Sequence, residues 1–237
     1  MRKYTALLGA VALAGIVLAG ATLGEDDKKK EDVLLGWTHD FLAEKPDLVS
    51  SGWNPYFVLE PGYVLQLEDG DEKLVITVLA ETKTVDGVET RVVEERQSKK
   101  GVMEEVARNY FAMSKRTNSV FYFGEDVDEY KDGKIASHEG SWVAGVSGAK
   151  FGLMMPGVPL VHARYYQEQA PKVAMDRAEI VSVTDSLKTP AGAFTQVLKT
   201  LETTPLEPLV RETKYYAPGV GLIQDGSLKL TKYGGKS

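Results

Sequence analysis

The chain has no cysteine among its 237 residues. That excludes disulfides, thiolate metal centres, cysteine nucleophiles, thioether haem attachment and a lipid-modified N-terminal cysteine. Histidine is scarce as well: His39, His138 and His162 stand apart, with no His-x-x-x-His or His-Glu-x-x-His spacing, so a zinc hydrolase has no support. Positive charge is in deficit, with 28 Lys and Arg against 34 Asp and Glu and a formal net charge of -6, which argues against nucleic acid as a partner. There is no Gly-x-Ser-x-Gly elbow, no P-loop and no Gly-x-Gly-x-x-Gly loop. With no legible nucleophile–base pairing, the chain reads as a non-enzymatic protein.

The N-terminus carries an address. Arg2 and Lys3 precede an uncharged stretch from Tyr4 to Gly24, and Ala19-Gly20-Ala21 fits the small-x-small cleavage pattern of a secretory signal peptide. The competing reading is an uncleaved anchor, since about 20 apolar residues can span a bilayer. Cleavage after Ala21 is the expectation, leaving a protein that is soluble, without stable membrane insertion, and periplasmic or extracellular. Residues 1–21 then form the signal peptide and 22–32 a charged linker, because Glu25 to Asp32 is almost wholly charged. Residues 33–237 form a single β-rich domain of ordinary globular composition, 43% hydrophobic and 26% charged.

Within that domain, Leu34, Thr38, Phe41 and Leu42 fall at helical spacing until Pro46, which predicts one short N-terminal helix. Ser51 to Phe57 is aromatic with an internal turn and is expected to plug one end of the core. Beyond it Asp-Gly pairs recur at Asp69-Gly70, Asp86-Gly87, Asp132-Gly133 and Asp225-Gly226, and Asp-Gly is a strong hairpin signal because both residues tolerate positive φ. Leu74, Ile76 and Val78 alternate before one of these pairs, and Val88, Thr90 and Val92 after it. Val102, Val106, Tyr110 and Met113 also fit a helical stripe, but hairpin signals on both sides favour a strand. The expected fold is mainly β: a large curved antiparallel sheet of sequential hairpins, a half-barrel or open barrel, whose apolar face is hidden by curvature, by the helix and by the irregular stretch from Gly145 to Pro159.

Several stretches resemble a widespread group of uncharacterised secreted bacterial proteins: Asn54-Pro55-Tyr56-Phe57, Phe121 to Val127, His138-Glu139-Gly140-Ser141-Trp142, Thr203 to Pro208, and Lys214 to Gly221. Val58 departs from the proline associated with that place. The resemblance implies secretion and a β-rich domain, and it implies no catalytic residues. A weaker likeness, at the level of fold, is to periplasmic carriers of the lipoprotein-carrier kind, which wrap a curved sheet around an apolar cavity.

Two kinds of site follow. If Asp132-Gly133 forms a two-residue turn, Asp126 faces Glu139 and Asp128 faces Ser137, all on one side of the hairpin. Opposed carboxylates repel unless compensated, either by a hard cation such as Ca²⁺ or by neighbouring Lys and Arg. Asp126, Asp128 and Glu139 are therefore the candidate metal ligands. An EF-hand is not expected, because Tyr130 stands where the loop needs Asp or Asn and the flanking residues read as strand. Asp176-Arg177-Ala178-Glu179 offers two carboxylates and an arginine, which an ion-paired strand start also explains. The second site is apolar: Phe151, Met154, Met155, Tyr165 and Tyr215 are candidates to line a pocket for an apolar small molecule or lipid, with core packing as the competing role. The functional expectation is a secreted binding protein with a sheet-lined cavity, and the alternative is a cation-stabilised module of the cell envelope.

Overall fold

The computed structural model describes residues 36–235. The signal segment, the charged linker and Leu34 lie outside the described residues. A 3₁₀ helix at Leu42–Asp47 comes first, with Pro46 inside it. The expected helix is thus a single tight turn, not an amphipathic stripe ended by the proline. Pro46 has no N–H to donate, and as the next-to-last residue of so short a 3₁₀ turn it removes at most one weak hydrogen bond.

Eighteen strands follow in chain order. The short β1 (Leu48–Val49), β2 (Trp53–Asn54) and β3 (Phe57–Val58) precede β4 (Tyr63–Asp69), β5 (Glu72–Val85), β6 (Val88–Lys99), β7 (Val102–Ser114) and β8 (Val120–Lys131). Then come β9 (Lys134–Ser137), β10 (Trp142–Val143), β11 (Lys150–Met155), β12 (Arg164–Tyr166) and β13 (Glu168–Gln169). The last group is β14 (Arg177–Thr189), β15 (Gly192–Thr204), β16 (Glu207–Ala217), β17 (Gly221–Asp225) and β18 (Leu228–Gly235). The ambiguous 102–113 segment is strand, as its flanking turns required.

All these strands except the β2–β3 hairpin belong to one 16-stranded sheet, in which the pairings between strands are antiparallel and mostly between neighbours in sequence. The one long return is β18 against β4, which joins the two halves. The path runs from β12 through β14 to β18, across to β4, and on through β8 and β11 to β13. Its two ends are parts of one short segment: β12 pairs with β14, and β13, one residue further along, pairs with β11. Residues 164–169 therefore form the seam of a nearly closed barrel. Gly152 on β11 makes the approach feasible, since a Cβ there would stand 2.3 Å from the Gln167 carbonyl oxygen.

The turns show how local chemistry sets the register. Asp86-Gly87, Lys100-Gly101 and Asp132-Gly133 each carry positive φ at both residues, the backbone of a type I′ hairpin turn. Lys100-Gly101 carries no Asp-Gly signal yet makes the same turn. At Asp69-Gly70 and Asp225-Gly226 the aspartate is the last residue of its strand and the glycine opens the turn. The alternation then sorts side chains. Leu65, Leu67, Leu74, Val78, Val93, Leu198 and Leu230 are buried in the principal core, whereas Glu94 and Asp128 stand at 3.4 and 3.6 Å from Arg108 on the other face of β6, β7 and β8. Burying each large apolar side chain contributes about 1.5–3 kcal/mol, so this alternation is the main stabilising feature. Among the described residues no helix is long and apolar enough to cross a membrane.

Candidate functional site: an acidic floor beneath an apolar cavity

The β2–β3 hairpin reaches over one end of the barrel, as its aromatic sequence suggested. Asn54 anchors it. Its side-chain amide donates to the Asn118 and Pro156 carbonyls at 2.8 and 3.1 Å, and its Oδ1 accepts the Tyr56 backbone N–H at 2.8 Å. Tyr56 donates its hydroxyl to the Gln196 carbonyl at 3.2 Å, and Gly219 N–H donates to the Pro55 carbonyl at 2.7 Å. These bonds hold Tyr56 and Phe57 against a small cavity of about 50 Å³. Ile76, Val93, Met154 and Leu222 are among the apolar residues of its wall, and Glu95 and Lys214 are its charged members.

Strand register explains why charges lie inside. On β16, Lys214 stands between Thr200 of β15 and Asp225 of β17, at the same phase as Tyr216. On β6, Glu95 stands between Ile76 of β5 and Ala107 of β7, at the same phase as Val93. Lys214 Nζ is 2.7 Å from Glu202 Oε2, and both side chains are almost wholly buried, at 4% and 7% exposure. Glu202 also accepts the Gln167 amide N–H at 3.2 Å and the Thr200 hydroxyl at 3.4 Å. That pair is well satisfied, as a buried ion pair must be to offset its desolvation.

One other buried carboxyl lacks such provision. Glu125 is fully buried, and neither of its oxygens has a hydrogen-bond partner. Tyr122 lies beside it, but the single phenolic proton goes to Asn109 Oδ1 at 2.6 Å. Burial pushes the Glu95 carboxyl up to about 8, with Lys214 pulling it down and Glu105 and Asp225 adding to the rise. Burial likewise lifts Glu105 to about 7 and Asp176 to about 6. Asp225 rises to about 8, again chiefly through burial, although Lys214 opposes it. Glu125 and Glu168 are held well above the usual carboxylate range by burial and then by neighbouring carboxyls, Glu105 and Glu95 acting on the former and Asp176 and Glu125 on the latter. Perturbed carboxyls are common at functional sites, and of this group Glu95 lines the cavity.

The sequence-derived site residues fall in different places. Met154 is on the cavity wall. Phe151 stacks on Phe123, centroids 4.6 Å apart, and Met155 is fully buried in the principal core. Tyr165 is buried in a smaller cluster with Ala178 and Ile180. Tyr215 packs partly buried at the edge of the principal core, with Lys199 Nζ 5.5 Å from its ring centroid.

At the β8–β9 hairpin the anticipated register holds for Lys131↔Lys134 and Tyr130↔Ile135 and then slips at a bulge, so that Glu129, not Asp128, faces Ser137. Glu139 lies beyond β9 and does not face Asp126. Asp126 instead receives the Tyr110 hydroxyl and Lys83 Nζ, the latter at 2.9 Å, while Asp128 is 2.9 Å from His138 Nδ1 and 3.6 Å from Arg108. The like charges are compensated by basic side chains from β5 and β7, elements far away in sequence. No group of three or more His, Cys, Asp or Glu is placed to hold a metal ion among the described residues.

In the Asp176 to Glu179 stretch, Glu179 pairs with Arg164 of β12 at 2.8 Å, while the half-buried Asp176 is raised to about 6, chiefly by burial. Sequence reasoning missed Glu95, Glu125, Glu168, Glu202, Lys214 and Asp225 as a group. The available signal was charge at the apolar phase of a strand: Glu125 lies two residues from both Phe123 and Val127, and Lys214 two from Tyr216. No family model matches the chain, and no curated protein or solved structure matches it either. What the molecule does has to follow from its own geometry.

Proposed function

We propose that the protein is a secreted, non-enzymatic binding protein that holds an apolar small molecule or lipid chain inside the barrel. The observation that carries this reading is the small apolar cavity that the β2–β3 hairpin helps to line. Its wall of Ile76, Val93, Met154 and Leu222 gains free energy from any apolar group that displaces its water, at about 25 cal/mol per Å² removed from solvent. The cation-stabilised alternative is less well supported, since Lys83 and Arg108 already stand at the hairpin carboxylates.

Native mass spectrometry of the protein secreted by its own host tests both parts of the reading. The polypeptide should begin at Thr22, and it should carry a dissociable apolar adduct. An Ile76→Trp variant, which fills the cavity, should lose the adduct. A full-length chain retained in membranes would refute secretion. A ligand-free wild type that also ignores an apolar fluorescent probe would refute the cavity reading.

A further inference from the structure

A cleft of about 310 Å³ opens beside β8 and β10, and it shares no lining residue with the small cavity at the β2–β3 hairpin. Its volume is at the lower end of the range for small-molecule sites, about 300–1,000 Å³. Two tight turns contribute to its wall. In one, the Ala149 N–H donates to the Val146 carbonyl at 2.9 Å across Ser147 and Gly148, both at positive φ. In the other, Ala170 and Ala174 exchange backbone hydrogen bonds at 2.7 and 2.9 Å. Walls closed by their own hydrogen bonds need little ordering when a ligand enters. Val146 and Val173, one on each turn, are 55% and 39% exposed, and Trp142 and Val143 of β10 add to the apolar lining.

Asp126 and Ser141 also line this cleft, and strand register sets them side by side. Trp142 pairs with Glu125 and Val143 with Gly124, so one residue further along Ser141 lies across from Asp126. Side chains of opposed residues point to the same face with Cβ atoms about 4.5–5.5 Å apart. Their hydrogen-bonding capacity is only half used. Asp126 Oδ2 accepts from the Tyr110 hydroxyl and from Lys83 Nζ, while Oδ1 has no partner among the described residues. Ser141 Oγ accepts the Val127 N–H at 2.9 Å, which leaves its own proton uncommitted among the described residues. One acceptor and one donor thus stand next to each other beside an apolar wall.

We propose that this cleft binds a small neutral molecule with an apolar body and a primary carboxamide, the amide N–H donating to Asp126 Oδ1 and the carbonyl accepting from the Ser141 hydroxyl. A primary carboxamide carries a donor and an acceptor on one edge, which complements the neighbouring carboxylate and hydroxyl. Its second N–H stays with water, since the Asp126 side chain is 56% exposed. Charge disfavours the alternatives. A carboxylate ligand would face Asp126, and an ammonium would have to share it with Lys83, already 2.9 Å away. The proposal is independent of the cavity reading above.

Titration of the ¹⁵N-labelled protein at pH 7 with benzamide, acetophenone, benzoate and benzylamine, followed by amide chemical shifts, tests it. Benzamide should move resonances of residues 141–149 and 170–173. It should bind about tenfold more tightly than acetophenone, which keeps the carbonyl and lacks the N–H, the gain expected for a hydrogen bond to a charged group. Benzoate and benzylamine should both bind more weakly than benzamide. Val146→Trp, which fills the cleft from an exposed position, should abolish the benzamide shifts, and Ile76→Trp should leave them. The ranking of the four ligands needs no variant. Equal affinity for benzamide and acetophenone, tightest binding of either charged ligand, benzamide shifts that survive Val146→Trp, or no binding by any of the four overturns the proposal.

Discussion

Lys214 shows what one buried residue decides. It lies at the apolar phase of β16, directly across from Thr200 and Asp225, and its ammonium is 2.7 Å from the Glu202 carboxylate. Replacing it by Met removes the charge and keeps the apolar stem, so Glu202 and Asp225 lose the positive charge that supports them. Breaking a buried pair from one side costs about 3–5 kcal/mol. Lys214→Met should therefore lower the free energy of unfolding by roughly that amount in urea denaturation. Combining it with Glu202→Gln should recover part of the loss, because the amide needs no counter-charge. A single variant as stable as wild type would mean that the pair carries no structural weight.

At the scale of elements, the β8–β9 hairpin is the instructive case. Its turn follows from Asp132-Gly133 alone, but the register slips between Glu129 and Tyr130, and the arrival of Lys83 and Arg108 depends on β5 and β7. With those partners present, Asp126→Asn removes an attraction. The exposed ion pair it loses is worth at most about 1 kcal/mol. A small fall in melting temperature is expected, not the rise that relief of repulsion from Glu139 would produce. Millimolar Ca²⁺ should act on this hairpin no differently from NaCl at equal ionic strength. A Ca²⁺-specific rise in melting temperature that disappears in Asp126→Asn would restore the metal reading.

For the molecule as a whole, the acidic interior makes stability depend on pH in an unusual direction. A carboxyl whose folded-state pKa is raised holds its proton more tightly folded than unfolded. Its stabilising contribution is complete below the ordinary carboxylate range and is lost as pH rises through the folded value. Glu95 and Asp225, both raised to about 8, and Glu105, raised to about 7, place that loss between mildly acidic and mildly alkaline pH. Each contributes a slope of about 1.4 kcal/mol per pH unit while its folded and unfolded protonation differ. The melting temperature of the ligand-free protein should accordingly fall between about pH 5 and about pH 8, and Glu95→Gln should flatten the curve. A melting temperature that is level or rises across this interval would show that the interior carboxyls are ionised at little cost.

The strand content and hairpin order were legible in the residues because both are local. Asp-Gly sets a turn through its own backbone freedom, and alternation in Leu74, Ile76 and Val78 needs only the next few residues to be read. Of the aromatic 51–57 segment, Tyr56 and Phe57 pack into the core as expected, while Trp53 stays exposed. The acidic floor was not legible in the same way. Alternation puts Glu125 and Lys214 on a particular face of their strands, but a face becomes an interior only when residues 164–169 bring β14 and β11 to either side of one seam. Before closure those charges are indistinguishable from solvated ones. After it, burial raises the proton affinity of Glu125, while Glu202 and the other acidic groups around Lys214 hold its proton in place against burial. The partners of Asp126 and Asp128 were hidden for the same reason, since Lys83 and Arg108 reach them only through the lateral pairing of β5, β6, β7 and β8. Sequence by itself determined the pieces and their order; tertiary closure decided which charges are buried, because burial is a property of the whole surface and not of any one strand.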